Sequence, residues 1–140
     1  MNTADQLVAG LSAERCAARL YTALDMHQPE QMAARFAPDG VWNRQGKALR
    51  GAPAIIAELS QRPKGRTTLH VVSNFVADPV SDREMNSTYY LTVFRHDTDG
   101  EAKLPIPMSL PFAALVCRAR FVLVGEEWLY AELSSQTLFQ

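Results

Sequence analysis

An aspartate and a histidine are the residues of this chain best suited to moving protons. Asp25 follows Leu24 and precedes Met26 at the C-terminal end of a helical pattern. The helix dipole disfavours an extra negative charge there. Partial desolvation between apolar neighbours would raise its proton affinity toward that of a general base. A solvated carboxylate, or a cap on the next turn, is the alternative. His70 lies in Thr68-Leu69-His70-Val71-Val72-Ser73-Asn74-Phe75, where strict alternation puts His70, Val72 and Asn74 on one face. A His and an Asn on an otherwise apolar face are costly to bury without partners. Either a polar site or a core histidine with a local hydrogen bond accounts for them. Trp42, Tyr21, Tyr89 and Tyr90 offer flat apolar surface with a polar edge, which suits both a ring-shaped ligand and an ordinary core.

Other chemistries lack their residues. His27, His70 and His96 are scattered, and none has the partner spacing of a zinc site. There is no glycine-rich phosphate loop, G-x-S-x-G elbow or dinucleotide fingerprint. Catalysis, if present, should therefore use ordinary side chains for proton transfer, with no metal and no cofactor. Cys16 and Cys117 are far apart and read as buried free thiols. Met1-Asn2-Thr3-Ala4-Asp5 has neither the basic flank nor the apolar run of a signal peptide, and a cytoplasmic location is the default expectation. The longest purely apolar run, Phe112 to Cys117, is far short of a membrane span.

These residues must be held by elements that the patterning suggests. Thr3 and Gln6 have capping-box spacing. Gly10 should break that opening segment, and Ser12 should cap a helix from Ala13 to about Met26. Cys16, Leu20 and Leu24 recur along it at i, i+4 and i+8, with Ala17 and Tyr21 alongside. Pro29 starts a short second helix that Pro38-Asp39-Gly40 ends. Val41-Trp42-Asn43 reads as a short strand, followed by a turn at Gly46. A third helix spans about Ala52 to Gln61 and is stopped by Arg62-Pro63-Lys64-Gly65. Thr67 to Ala77, Asn86 to His96, Phe112 to Val124 and Trp128 to Thr137 read as strands. Asp78-Pro79 through Asp82, Asp97 to Gly100, and Gly125-Glu126-Glu127 link them. Helices first and strands after predict an α+β domain with a mainly antiparallel sheet.

At 140 residues the chain is one domain's length, enough to bury a core and still enclose a pocket. A net charge of −1 offers no field for nucleic acid or an anionic membrane. It fits a small, neutral, hydrophobic ligand. Ala113, Leu115, Cys117, Ala119, Phe121 and Leu123 form one apolar strand face, while the other mixes Phe112, Val116, Val122 and Val124 with Arg118 and Arg120. A face that is only partly polar predicts a second protomer against it, hence a homodimer or higher homo-oligomer. Leu104-Pro105-Ile106-Pro107-Met108-Ser109-Leu110-Pro111 is too proline-rich for regular pairing yet mostly apolar. A lid over a cavity and a contact with a neighbouring subunit explain it equally well.

The order of elements resembles the SnoaL-like branch of the nuclear-transport-factor-2-like superfamily across nearly the whole chain, residues 1–140 as one domain. The matching pieces are Tyr21-Thr22-Ala23-Leu24-Asp25, Phe36-Ala37-Pro38-Asp39-Gly40-Val41-Trp42, Gly46, Gly51-Ala52-Pro53-Ala54-Ile55-Ile56, Thr68 to Asn74, and Glu127-Trp128-Leu129-Tyr130. The resemblance implies a cone: a strongly curved, mainly antiparallel sheet wrapped around three helices, with an internal apolar cavity. Its members include scytalone dehydratases, ketosteroid isomerases, polyketide cyclases and the small subunits of ring-hydroxylating dioxygenases. The Leu24-Asp25 and Leu69-His70 positions look like the Asp and His that serve acid–base water elimination in scytalone dehydratase. That enzyme's second catalytic histidine and full tyrosine set have no counterpart here. Two functions follow as expectations. One is a cofactor-free lyase or isomerase using Asp25, His70 and Tyr21, with Trp42, Val72, Asn74, Tyr90 and Met108 around the substrate. The other is a noncatalytic ligand-binding or assembly module, since a fold does not fix a function.

Overall fold

The computed structural model describes all 140 residues. Three helices and a six-stranded mixed sheet make up an α+β architecture, as the sequence predicts. Helix α1 runs unbroken from Thr3 to Asp25. Its capping box lies one residue earlier than the expected Thr3–Gln6 pair. Asn2 Oδ1 accepts the Asp5 amide at 2.8 Å and the Asp5 carboxylate accepts the Asn2 amide. Gly10 does not break the helix, because a single interior glycine costs only about 1 kcal/mol and the packed face repays it. Ser12 is interior too, its hydroxyl donating to the Val8 carbonyl at 2.9 Å. The buried face contains Cys16, Leu20 and Leu24 with Ala17 and Tyr21, the stripe read from the spacing.

Helix α2 (Pro29–Ala33) begins on its proline and buries Met32 and Ala33. Strand β1 (Phe36–Arg44) follows at once, taking in the Pro38-Asp39-Gly40 run that composition suggested as a break. Gly40 is needed there: a Cβ would stand 2.7 Å from the Tyr130 carbonyl oxygen and 2.9 Å from that of Ala37. β2 (Lys47–Arg50), which the sequence reading lacked, returns antiparallel to β1 after the turn at Gly46. Helix α3 (Gly51–Leu59) packs Ile55 and Leu59 inward. The sheet is completed by β3 (Arg66–Ser81), β4 (Glu84–Asp97), β5 (Ala113–Val124) and β6 (Glu127–Phe139).

The strand order is β2-β1-β6-β5-β4-β3, antiparallel throughout except where β1 lies parallel to β6. β3 passes straight through Asp78-Pro79, expected as a link. It is an edge strand, so the proline deprives no neighbour of a donor. α1 packs on both β3 and β6, so the sheet curves around it. The core between them is aromatic, with Phe121 and Tyr130 at 4.3 Å and Phe75 stacked on Tyr89 at 5.5 Å. Cys16 and Cys117 are buried free thiols. Burial pushes their proton affinities up to about 12 and about 11. No helix is long and apolar enough to cross a membrane.

Candidate active site

The end of α1 and the start of β3 are tied together, and this brings Asp25 to His70. After Asp25 the chain turns through His27, whose φ is 55° and whose Nε2 meets the Arg66 carbonyl oxygen at 2.8 Å. As β3 is an edge strand, its outward amides have no strand partner. The His70 amide instead donates to Asp25 Oδ2 at 3.0 Å. The other carboxylate oxygen accepts the Thr68 hydroxyl at 2.7 Å and His70 Nδ1 at 2.6 Å. Thr68 is buried and in turn accepts a hydrogen bond from Arg62 Nη2, while Arg62 Nη1 donates to the Leu24 carbonyl.

This network reverses the electrostatic expectation for Asp25. Burial does pull its proton affinity up, but the bonds from the His70 ring, the Thr68 hydroxyl and the His70 amide outweigh that. The carboxyl sits below its ordinary value. Asp25 is therefore an ionised partner of His70 rather than a base poised near neutrality. With Nδ1–H given to the carboxylate, the neutral ring keeps its lone pair on Nε2. Nε2 makes no hydrogen bond within the protein, and His70 lines a cavity of about 640 Å³.

Tyr21 lines the same cavity, its ring stacked on His70 with centroids 5.4 Å apart. Its hydroxyl points elsewhere, 2.6 Å from that of Tyr89, which continues to Tyr130 at 3.0 Å. Burial holds all three phenols well above their ordinary values. Tyr21 thus fixes the imidazole plane and has no free acid to offer. Trp42 also lines the cavity, beside its cross-strand neighbour Leu133 and with Leu91, Val93, Leu115 and Cys117. The lining is polar as well, and includes Arg62, Arg66 and Arg95.

The remaining sequence candidates lie elsewhere. Val72 is half-buried and packs on the core, outside the cavity lining. Asn74 is exposed at a β-bulge, where Asn74 and Phe75 together oppose the single residue Tyr89. Its φ of 53° is a left-handed conformation that asparagine tolerates. The extra residue resets the alternation, so Phe75 and Ala77 turn inward and Asn74 outward. Tyr90 is exposed on the outer face, because Met85, Ser87, Tyr89, Leu91 and Val93 take the inner one. Met108 is 89% exposed in the Leu104–Pro111 loop, which contributes no residue to this cavity's lining; Phe112, just beyond it, does line the site. Sequence reasoning missed Thr68 and Arg62. Thr68 shares the strand face of His70 by the same period of two, whereas Arg62 carried no signal beyond its place in a helix stop.

Solved structures with this fold span nearly the whole chain. A protein from Catenulispora acidiphila, crystallised in complex with S-DNPA, is 22% identical with a TM-score of 0.73, covering 91% of each chain. The hexachlorocyclohexane dehydrochlorinase LinA-type3 from Novosphingobium barchaimii is 13% identical, with a TM-score of 0.78 over 99% of this chain and 92% of that one. A protein from Novosphingobium aromaticivorans, provisionally assigned as a scytalone dehydratase, is 21% identical, with a TM-score of 0.75 over 99% and 89%. At such identities the likeness carries the fold alone. No curated protein matches the chain. The family model for the SnoaL-like domain matches residues 9–134, and the chain belongs to that family.

Proposed function

We propose that the protein is a cofactor-free lyase or isomerase that deprotonates carbon in a small hydrophobic cyclic substrate. The observation that carries this reading is the Asp25–His70 pair, joined at 2.6 Å with its imidazole on the cavity wall. His70 Nε2 takes a proton from carbon next to a carbonyl. The C–H electron pair forms an enolate, or moves on to expel a β leaving group such as hydroxide. The imidazolium then returns the proton, to carbon in an isomerisation or to the leaving group in an elimination. Asp25 stays ionised throughout and stabilises the imidazolium, so it is a positioning residue and His70 the catalytic one. Tyr21 holds the ring plane. Membership of the SnoaL-like family and fold neighbours named as a dehydrochlorinase and a dehydratase support the reaction class.

Deprotonation can be read without knowing the natural product. With 2-tetralone in D₂O, wild-type protein should exchange the α-hydrogens faster than buffer, as followed by NMR. A placed general base contributes about 10²–10⁴ in rate. His70→Ala should remove most of that, and Asp25→Asn, which offers Nδ1 a weaker acceptor, nearly as much. Equal exchange by the wild type and both folded variants would overturn the assignment, leaving a noncatalytic binding module.

A further inference from the structure

The cavity walls are charged in a way the net charge conceals. Arg44, Lys47, Arg62, Arg66 and Arg95 line it, while no aspartate or glutamate does. Two carboxylates outside the lining answer four of these cations. Asp97 bridges Arg66 and Arg95, each at 2.8 Å, and Glu58 lies 3.8 Å from Arg44 and 3.4 Å from Lys47. Arg62 has no carboxylate in salt-bridge contact. It gives two N–H groups to Leu24 and Thr68, and a guanidinium has five. The remaining donors are those a planar anion would use.

The arginines also act on one another. Burial lowers the proton affinity of Arg62, Asp25 opposes this, and repulsion from Arg66, Arg44 and Arg95 adds to it. Half-buried like charges of this kind are costly alone and favourable around an anion. A neutral ligand would leave Arg62, the one without a carboxylate in contact, unanswered. Apolar side chains in the same lining, Trp42, Leu91, Leu115 and Leu133 among them, still ask for a ring.

We propose that the substrate is a cyclic or aromatic carboxylate, its ring against the Trp42 wall and its carboxylate held by Arg62, with Arg66 and Arg95 beside it. The proposal rests on the reading of this cavity as the substrate site. Because Arg62 and Asp25 share the Thr68 hydroxyl, the acid group lies close to the carbon that His70 deprotonates. Arg62 then sets specificity, and its charge also favours the enolate that forms nearby.

Calorimetric titration with 2-naphthoate and its uncharged isostere 2-naphthamide tests this in the wild-type protein. The acid should bind at least about 10-fold more tightly in about 20 mM salt, with the preference shrinking in about 0.5 M salt. Arg62→Met should bring the two affinities close together, and Arg62→Lys should keep most of the difference. Equal affinities, tighter binding of the amide, or a preference that persists in folded R62M would overturn the proposal. If R62M fails to fold, the wild-type preference and its salt dependence decide alone. An acid preference without His70-dependent exchange of 2-tetralone supports this inference and removes the catalytic reading. Exchange with equal binding of acid and amide does the reverse.

Discussion

The Asp25 carboxylate accepts three hydrogen bonds inside the protein, and this makes its ionisation a matter of stability as well as of chemistry. Its folded proton affinity lies below the ordinary value of 3.8, so in acid the unfolded chain takes up a proton first. The stabilisation is therefore complete above about pH 4 and is lost as pH falls through the folded value. Urea unfolding between about pH 3 and pH 7 should show wild-type stability falling toward acid with a component that Asp25→Asn lacks. Parallel profiles for the two proteins would contradict the hydrogen-bonded carboxylate. His70 and Asp25 stand out in the sequence because each is a polar residue on an apolar pattern. Their mutual contact does not, since it depends on how α1 ends and where β3 begins. Arg62 was still less visible: in Arg-Pro-Lys-Gly it reads as a solvated stop, and only the folded chain turns its guanidinium inward.

The elements were legible where the period was long and uniform. The α1 stripe and the four long strands follow from it, with β3 reaching beyond its expected end. What failed were rules about single residues. Gly10 and Pro79 each read as punctuation, yet one lies in a packed helix and the other on a sheet edge, where the usual cost is small. Asn74 failed for a different reason: a one-residue bulge shifts every later side chain to the other face, and alternation alone carries no sign of it. Gly40 is the opposite case, a glycine with no slack. Gly40→Ala would press a methyl group onto two backbone carbonyls. It should destabilise the protein by about 1–3 kcal/mol, seen as a lower thermal midpoint. An unchanged midpoint would mean that β1 can move away from β6.

For the whole molecule, composition spoke to size and class but averaged away the local field. A total of −1 coexists with five cations around one cavity. The parallel β1–β6 pairing was equally out of reach, because strand order depends on packing across the chain rather than on any one segment. The outer sheet face is where an expectation about assembly rests. Leu69, Val71 and Tyr90 are exposed together on adjacent β3 and β4, an apolar surface that single chains seldom leave open. We expect a homodimer through this face. Light scattering at micromolar concentration should give twice the 15.6 kDa chain mass, and charging the face with Val71→Asp should yield monomers. A wild-type monomer would overturn that expectation. The hydrogen bond from the His70 amide to Asp25 has one more consequence, for redesign. The carboxylate that orients the imidazole also closes a gap in the sheet's open border. An engineer can exchange the His70 side chain and leave the backbone contact in place. Asp25 offers no such freedom, since replacing it disturbs the imidazole's partner and unseals an edge to which another chain can add.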